Sequence, residues 1–313
     1  STNSSCLQCY PSSITYYANG GSGAPSSQTV TSSPVTISST IPTRFPYSFA
    51  GWGTSSSSSS VSYYSGKSYT VTAGKSLSLY AVWKSPVVLS TTTSASSSVT
   101  ISNKNSEYYF SFTPTETASY VFESAVTGDT HCYLYDAQGN QLSYHDDISS
   151  SNLNFRIVHD LTAGSTYYYK VKWRSSTVTE QITVKLLRQY DVSFDANGGS
   201  GAPDAQKKTH GEAITLDSKI PVKDLFAFAG WADTDDAQQA QYQAGGSYDA
   251  EGDSTLYAVW AYPSGSCGEN AVFPNSLLDL CAAMKLIREN AELLERLPLL
   301  AVAGPISQPK VGT

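Results

Sequence analysis

Charge is what this sequence has least of. Only 14 % of its 313 residues are Asp, Glu, Lys or Arg, against roughly 25 % in an average domain. No Asp or Glu precedes Glu107, so Arg44, Lys67, Lys75, Lys84 and Lys104 stand there unopposed, and the net charge of −7 is built after them. Neither part holds a dense basic cluster, which removes the electrostatic footprint of a nucleic-acid binder. An acidic, polar chain also has no pull toward anionic membranes. Long apolar runs are missing too: none reaches the roughly 18 residues that a spanning helix needs, so no transmembrane segment is expected. The five cysteines, Cys6, Cys9, Cys132, Cys267 and Cys281, are an odd number and cannot all pair within the chain. Cys6-Leu-Gln-Cys9 has no second CxxC and no nearby His, so it falls short of the four ligands of a structural zinc site; a local disulfide or the remnant of a preceding module is expected instead. No secretory signal opens the chain. Its start, Ser1-Thr-Asn-Ser-Ser5, is polar and uncharged, as expected of a mature or excised fragment.

What replaces charge is Ser, Thr, Gly and Tyr, with 22 Tyr and 22 Gly against one Met. Tyr, Thr and Val suit a pleated, half-buried surface, so the composition predicts a mainly β protein. Within it, one pattern occurs twice. Ile14-Thr-Tyr-Tyr-Ala-Asn-Gly-Gly-Ser-Gly-Ala-Pro25 returns as Val192-Ser-Phe-Asp-Ala-Asn-Gly-Gly-Ser-Gly-Ala-Pro203. Phe49-Ala-Gly-Trp52 returns as Phe228-Ala-Gly-Trp231, and Leu79-Tyr-Ala-Val-Trp83 as Leu256-Tyr-Ala-Val-Trp260. Order and spacing are kept, so each unit is a small domain. Alternating apolar residues predict an opening strand. Asn19-Gly20 and Asn197-Gly198 predict turns, because both residue types tolerate positive φ. The Gly between Phe and Trp permits close backbone approach, and Leu-Tyr-Ala-Val-Trp predicts a short final strand.

These three blocks resemble the Listeria–Bacteroides repeat, also called the internalin B-type repeat. Its centre, Pro-Thr-Arg-x-Gly-Tyr-x-Phe-x-Gly-Trp, stands here as Pro42-Thr-Arg-Phe-Pro-Tyr-Ser-Phe-Ala-Gly-Trp52, with Pro46 in place of the Gly. The second copy, Pro221-Val-Lys-Asp-Leu-Phe-Ala-Phe-Ala-Gly-Trp231, lacks both that Gly and the Thr-Arg pair. The core aromatics remain, so the fold is expected to survive while any role of the Arg is lost. The resemblance implies a β-grasp-like (ubiquitin-like) module of secreted bacterial surface proteins, with no catalytic residues.

Between the copies, Tyr108–Phe112, Ser119–Phe122, Cys132–Tyr135, Phe155–Val158, Tyr167–Val171 and Gln181–Val184 read as short strands. Asp136-Ala-Gln-Gly139 forms a hairpin turn, and the spacing predicts a sandwich. Leu134-Tyr-Asp-Ala-Gln-Gly-Asn140, Asp146-Asp147 and Leu161-Thr-Ala-Gly164 resemble the bacterial pre-peptidase C-terminal domain. That resemblance implies a jelly-roll-like sandwich that accompanies secreted enzymes and surface proteins without being catalytic. The expected organisation is therefore a leader with the CxxC at 1–12, repeats at 13–84 and 189–261, a sandwich at 85–188, and a linker with a helical tail at 262–313. In the tail, Leu277 to Leu297 carries strong helix formers with Leu286, Leu293, Leu294 and Leu297, and Pro298 limits it.

Few residues present themselves for chemistry. Asp129, Asp136, Asp146 and Asp147 are the calcium candidates, because four carboxylates plus backbone carbonyls could approach the six to eight oxygens that calcium takes. Ordinary turn chemistry is the competing explanation, and no other cofactor is indicated. His131, His145, His159 and His210 lack metal-ligand spacing. His145-Asp146-Asp147 has no Ser in a Gly-x-Ser-x-Gly elbow to serve, so no enzyme is expected. Tyr63, Tyr64, Tyr167, Tyr168 and Tyr169 could stack on sugar rings, although alternation in a strand sends part of each run into the core. The sequence thus predicts a non-catalytic bacterial cell-surface or extracellular adhesion or spacer fragment. Its partners would be a host or neighbouring-cell surface component, a glycan or a matrix protein, and no nucleic acid. The rival expectation is a carbohydrate- or matrix-binding accessory region of a larger secreted hydrolase.

Overall fold

The computed structural model describes residues 13–72, 74–90, 94–101, 106–174 and 180–261. The leader with Cys6 and Cys9, and the tail with its helix pattern, Cys267 and Cys281, lie outside the described residues. Every regular element among the described residues is a strand, and none of them forms a helix long and apolar enough to cross a membrane. The chain divides into two compact units. One holds the first repeat, the sandwich and residues Gln206–Ile214 and Asp249–Ser254; the other holds Ser193–Ala205, Thr215–Tyr248 and the described residues from Thr255.

The first repeat contains β1 (Ser13–Tyr17), β2 (Gln28–Thr29), β3 (Val35–Thr36), β4 (Ser48–Gly53), β5 (Ser68–Tyr69) and β6 (Leu77–Lys84). Its sheet runs β2-β1-β6-β4, with β1 and β6 parallel and β4 antiparallel to β6. First and last strands side by side in parallel form the central pair expected of a β-grasp-like sheet. In place of a helix, Val30, Val35, Ile37 and Val71 close over Ile14, Tyr16, Trp52, Leu79 and Ala81. Trp52 is wholly buried and meets Tyr16 and Phe49 edge-on, each at 5.0 Å.

The turn after β1 explains the Asn-Gly-Gly motif atom by atom. Asn19 and Gly20 take φ of 48° and 88°, the left-handed region in which Gly is at no disadvantage and Asn is tolerated. Asn19 Nδ2 donates to Ala81 O on β6 and to Ser56 O, both at 3.0 Å. Trp83 Nε1 donates back to Ala18 O (3.1 Å) and Asn19 O (3.0 Å). A Cβ at Gly21 would stand 2.5 Å from both Thr43 O and the Trp83 ring, so only Gly fits beneath the indole. The Arg44 guanidinium lies 3.3 Å from where a Gly20 Cβ would sit, and 4.4 Å from the centroid of the Tyr47 ring.

After the short β7 (Val87–Val88), the sandwich is built from β8 (Ser94–Ile101), β9 (Glu107–Phe112), β10 (Ala118–Ser124), β11 (Thr130–Tyr135), β12 (Gln141–His145), β13 (Arg156–Leu161), β14 (Tyr167–Trp173) and β15 (Glu180–Asp195). One sheet runs β12-β11-β14-β9-β7, and β13, β10, β15 and β8 pair to make the other. Apart from the β11-β12 hairpin, successive strands alternate between the two sheets, as in a jelly-roll-like sandwich. Between them lies an aromatic core that includes Phe110, Phe112, Phe122, Phe155, Tyr169 and Trp173. The first repeat seats on the β9-β14-β11 face chiefly around Phe45. Phe45 meets Tyr168, Tyr135 and Tyr109 edge-on at 5.2, 5.6 and 5.7 Å, and Ser48 Oγ accepts from Tyr109 N.

The second repeat adds β16 (Gln206–Thr209), β17 (Ile214–Thr215), β18 (Ala227–Ala232), β19 (Ser247–Tyr248) and β20 (Ser254–Ala261), and the order β15-β20-β18 repeats β1-β6-β4. Asn197 Nδ2 donates to Ala258 O and Asp235 O, and Trp260 Nε1 donates to Ala196 O and Asn197 O. Lys223 corrects the expectation that the role of the Arg is lost. Its Nζ donates to Asn197 O at 3.2 Å and lies 4.9 Å from the Phe226 ring centroid, so a different cation covers the same turn and leans on the aromatic three residues on. Leu225, at the place of the family's Gly, takes φ of 66°, which accounts for a Gly in that pattern.

One bond does not carry over. Trp52 Nε1 donates to Ser65 Oγ at 3.0 Å, whereas Trp231 Nε1 is buried without an acceptor, because Ala244 stands where Ser65 does. Ala244→Ser is expected to stabilise the second repeat by about 1 kcal/mol, read as a higher denaturant midpoint. Ser65→Ala should cost the first repeat a similar amount.

Candidate functional site

The outward face of the β12-β11-β14 sheet carries the densest set of functional groups on the sandwich. Alternation along β11 sends Cys132 and Leu134 into the core and His131, Tyr133 and Tyr135 outward; along β14 it buries Tyr167, Tyr169, Val171 and Trp173 and leaves Lys170 and Lys172 outside. Lys170 Nζ lies 4.7 Å over the Tyr133 ring and 5.4 Å from Tyr135. Tyr144 of β12 meets Tyr133 at 4.7 Å and is 40 % exposed. Lys170 and Lys172 both reach Glu107, at 3.9 and 3.7 Å. The face is thus a row of rings under cations that are already paired.

At one end of this face, antiparallel pairing of β11 with β12 (Cys132 opposite His145) brings the residue before β11 beside those after β12. Asp129, Asp146 and Asp147 therefore converge, with one carboxylate oxygen of each within 4.8 Å of the others. Asp136, the fourth calcium candidate, does not join them. It sits at the opposite end, in the hairpin turn, where Oδ1 accepts from Gln138 N and Asn140 N and Oδ2 from Asn140 Nδ2. The Asn140 side chain, against the opposing effect of burial, holds its carboxyl below the usual range. Its work is the turn chemistry that Asp does so well, and the turn's Gly139 lies against Phe45.

The remaining cluster already has a cation. Arg174 ion-pairs with Asp146, donates to Tyr144 Oη at 3.0 Å, and gives its backbone N–H to Asp129 O. Beside it, burial and then the Lys172 charge hold the His131 imidazole below its ordinary range, against the pull of Asp146.

The other singled-out residues have structural duties. Tyr167 and Tyr169 are core, Tyr168 receives Phe45, Tyr63 packs on Tyr69, and Tyr64 is 55 % exposed. His145 Nδ1 accepts from Arg156 N, and His210 Nδ1 bonds Tyr190 Oη. Burial pushes the Cys132 thiol well up, which removes the thiolate a nucleophile needs. Sequence reasoning missed Tyr133 and Tyr144. The period-2 alternation of Thr130–Tyr135 marks the first, but β12, Gln-Leu-Ser-Tyr-His, is exposed on both faces and carries no strand pattern.

Three carboxylates are only part of the set calcium takes, and Arg174 competes for them. Addition of calcium to the full chain is expected to leave its melting temperature unchanged. A rise that Asp147→Asn abolishes would make the cluster a calcium site.

Comparison with known proteins bears on the repeats. No curated protein matches the chain in sequence. Among solved structures, the crystal structure of Aeromonas hydrophila PliG, a periplasmic lysozyme inhibitor of g-type lysozyme, is similar over 33 % of this chain and 92 % of that one. The identity is 11 % and the TM-score 0.26, values that carry no argument. The model of the Listeria-Bacteroides repeat domain matches residues 13–82 and 190–259, the same two segments whose Asn-Gly-Gly turns, Gly-Trp cores and closing strands coincide above. Those two segments are Listeria-Bacteroides repeat domains.

Proposed function

We propose that this chain is a non-catalytic part of a bacterial cell-surface or extracellular protein, acting in adhesion or as a spacer. One observation carries the reading: in both repeats the shared polar groups are spent on holding the fold. The Asn carboxamides bond the closing strand, the closing indoles and Lys223 bond the turn, and Arg44 lies over Gly20 and the Tyr47 ring. His145 and His210 are likewise engaged in hydrogen bonds, to Arg156 N and Tyr190 Oη. What is left to meet a partner is surface.

A second reading, a carbohydrate- or matrix-binding accessory region of a larger secreted hydrolase, draws on the outer face of the sandwich. Tyr133 and Tyr144 offer adjoining rings, and Lys170 and Arg174 donors lie beside them. Rings that are apolar on the face and polar at the rim suit saccharide stacking.

The discriminating experiment is an array of glycans and host matrix proteins probed with the full chain and its Tyr144→Ala variant. Under the adhesion or spacer reading, binding is absent or is unaffected by Tyr144→Ala. Saccharide binding lost in Tyr144→Ala supports the accessory reading. Turnover in a broad hydrolase screen that disappears in His145→Ala would overturn both.

A further inference from the structure

In the first repeat, the segment that leads into β2 and the segment that follows β3 stand apart and leave a groove of about 720 Å³. That volume falls among small-molecule sites, which span roughly 300–1,000 Å³. Most such sites are apolar, and this one is not. Six Ser and Thr residues between Ser26 and Thr40 line it with Gln28 and the buried Ile37, and no charged side chain does. The Gln28 carboxamide is held in one orientation. Its Oε1 accepts from Tyr16 Oη at 2.8 Å, its Nε2 donates to Thr36 O at 2.9 Å, and Tyr16 Oη accepts in turn from Ser38 N at 3.0 Å. A carboxamide has two N–H donors and two acceptor lone pairs, so one of each is left for a ligand.

The second repeat keeps the backbone plan there and changes the chemistry. Lys219 N donates to Asp217 Oδ1 at 2.7 Å where Thr40 N donates to Ser38 Oγ at 3.2 Å, so the two segments correspond residue for residue. Lys219 Nζ then donates to Ala202 O at 3.1 Å, bridging the gap that lies open between Thr40 and Ala24 in the first repeat. Asp204 replaces Ser26, and Phe194 replaces Tyr16 without the hydroxyl that orients Gln28. The module therefore folds with the gap bridged, with charge on both walls and without that hydroxyl. Folding alone does not explain why the first copy keeps an open, neutral groove with an oriented amide in it.

We infer that this groove is a binding site for a neutral saccharide, open in the first repeat and bridged by Lys219 in the second. Ser and Thr hydroxyls both donate and accept, which matches sugar hydroxyls that do the same. Pro25 and Ile37 give the C–H faces of the rings an apolar surface. A lining without charge has nothing to offset the desolvation of an acidic or basic ligand. An extended peptide fits less well, because β2 and β3 have two residues each and offer too short an edge for strand addition. The site gives the adhesion reading a class of partner and rests on that reading. It shares no residue with the Tyr133–Tyr144 face.

The test is an array of neutral oligosaccharides, with sialylated and sulfated glycans alongside, probed with the full 313-residue chain and three variants. Thr40→Lys carries the second copy's bridging cation into the groove, and Ser26→Asp carries its charge to the opposite wall. Both positions are exposed, and the second copy folds with those residues in place, so an unchanged melting temperature is expected of each. Tyr144→Ala alters only the sandwich face. The expected result is binding to at least one neutral oligosaccharide that weakens by about tenfold or more in Thr40→Lys and Ser26→Asp and is unchanged in Tyr144→Ala. Binding that both groove variants leave intact, or binding of charged glycans alone, would overturn the inference and leave the adhesion reading standing. Loss confined to Tyr144→Ala would overturn it in favour of the sandwich face. No binding to any glycan would overturn it in favour of a spacer.

Discussion

Each repeat depends on a reciprocal clamp between a turn and the last strand. The Asn carboxamide of the turn reaches the final strand, and the Trp of that strand returns its indole N–H to the turn. The two bonds tie residues more than sixty positions apart, which makes the parallel pairing of first and last strands a closed unit. Burial of Trp52 and Trp231 supplies the larger apolar term, but that term is non-directional. The clamp sets which residues face each other. Gly21 and Gly199 beneath the indole ring, and the cation over the turn, follow from it.

The clamp also positions the loop that carries the centre of the motif. Thr43 and Val222 bond the residue after the turn, so the loop projects from a fixed base. In the first repeat that base presents Phe45 to three tyrosines. The same architecture therefore explains two properties at once: a rigid module, and a module with one preformed contact point.

Much of this was legible in the sequence. The turns, the Gly-Trp core, the closing strands and the alternating strands of the sandwich each leave a local signature, because period and turn chemistry act over few residues. What was not legible depended on partners distant in the chain. Lys223 differs from Arg44 in shape, and only their common position over a Gly shows the shared task. Phe45 looks like any loop aromatic until Tyr109, Tyr135 and Tyr168 are brought to it. Asp136 and Asp146 read alike in sequence, yet the antiparallel pairing of two strands sends one to each end of a hairpin. Ser65 and Ala244 lie in matching turns, and only the indole between them gives the difference a cost.

The clamp is tested most directly by hydrogen exchange on the full chain carrying Asn19→Asp or Asn197→Asp. A carboxylate cannot donate to Ala81 O or Ala258 O, and it sets a negative charge against carbonyl oxygens, a loss of about 1–3 kcal/mol. The account predicts faster exchange across Leu77–Lys84 in the first variant and across Ser254–Ala261 in the second, with the other copy unchanged each time. Unaltered exchange in both final strands would contradict it.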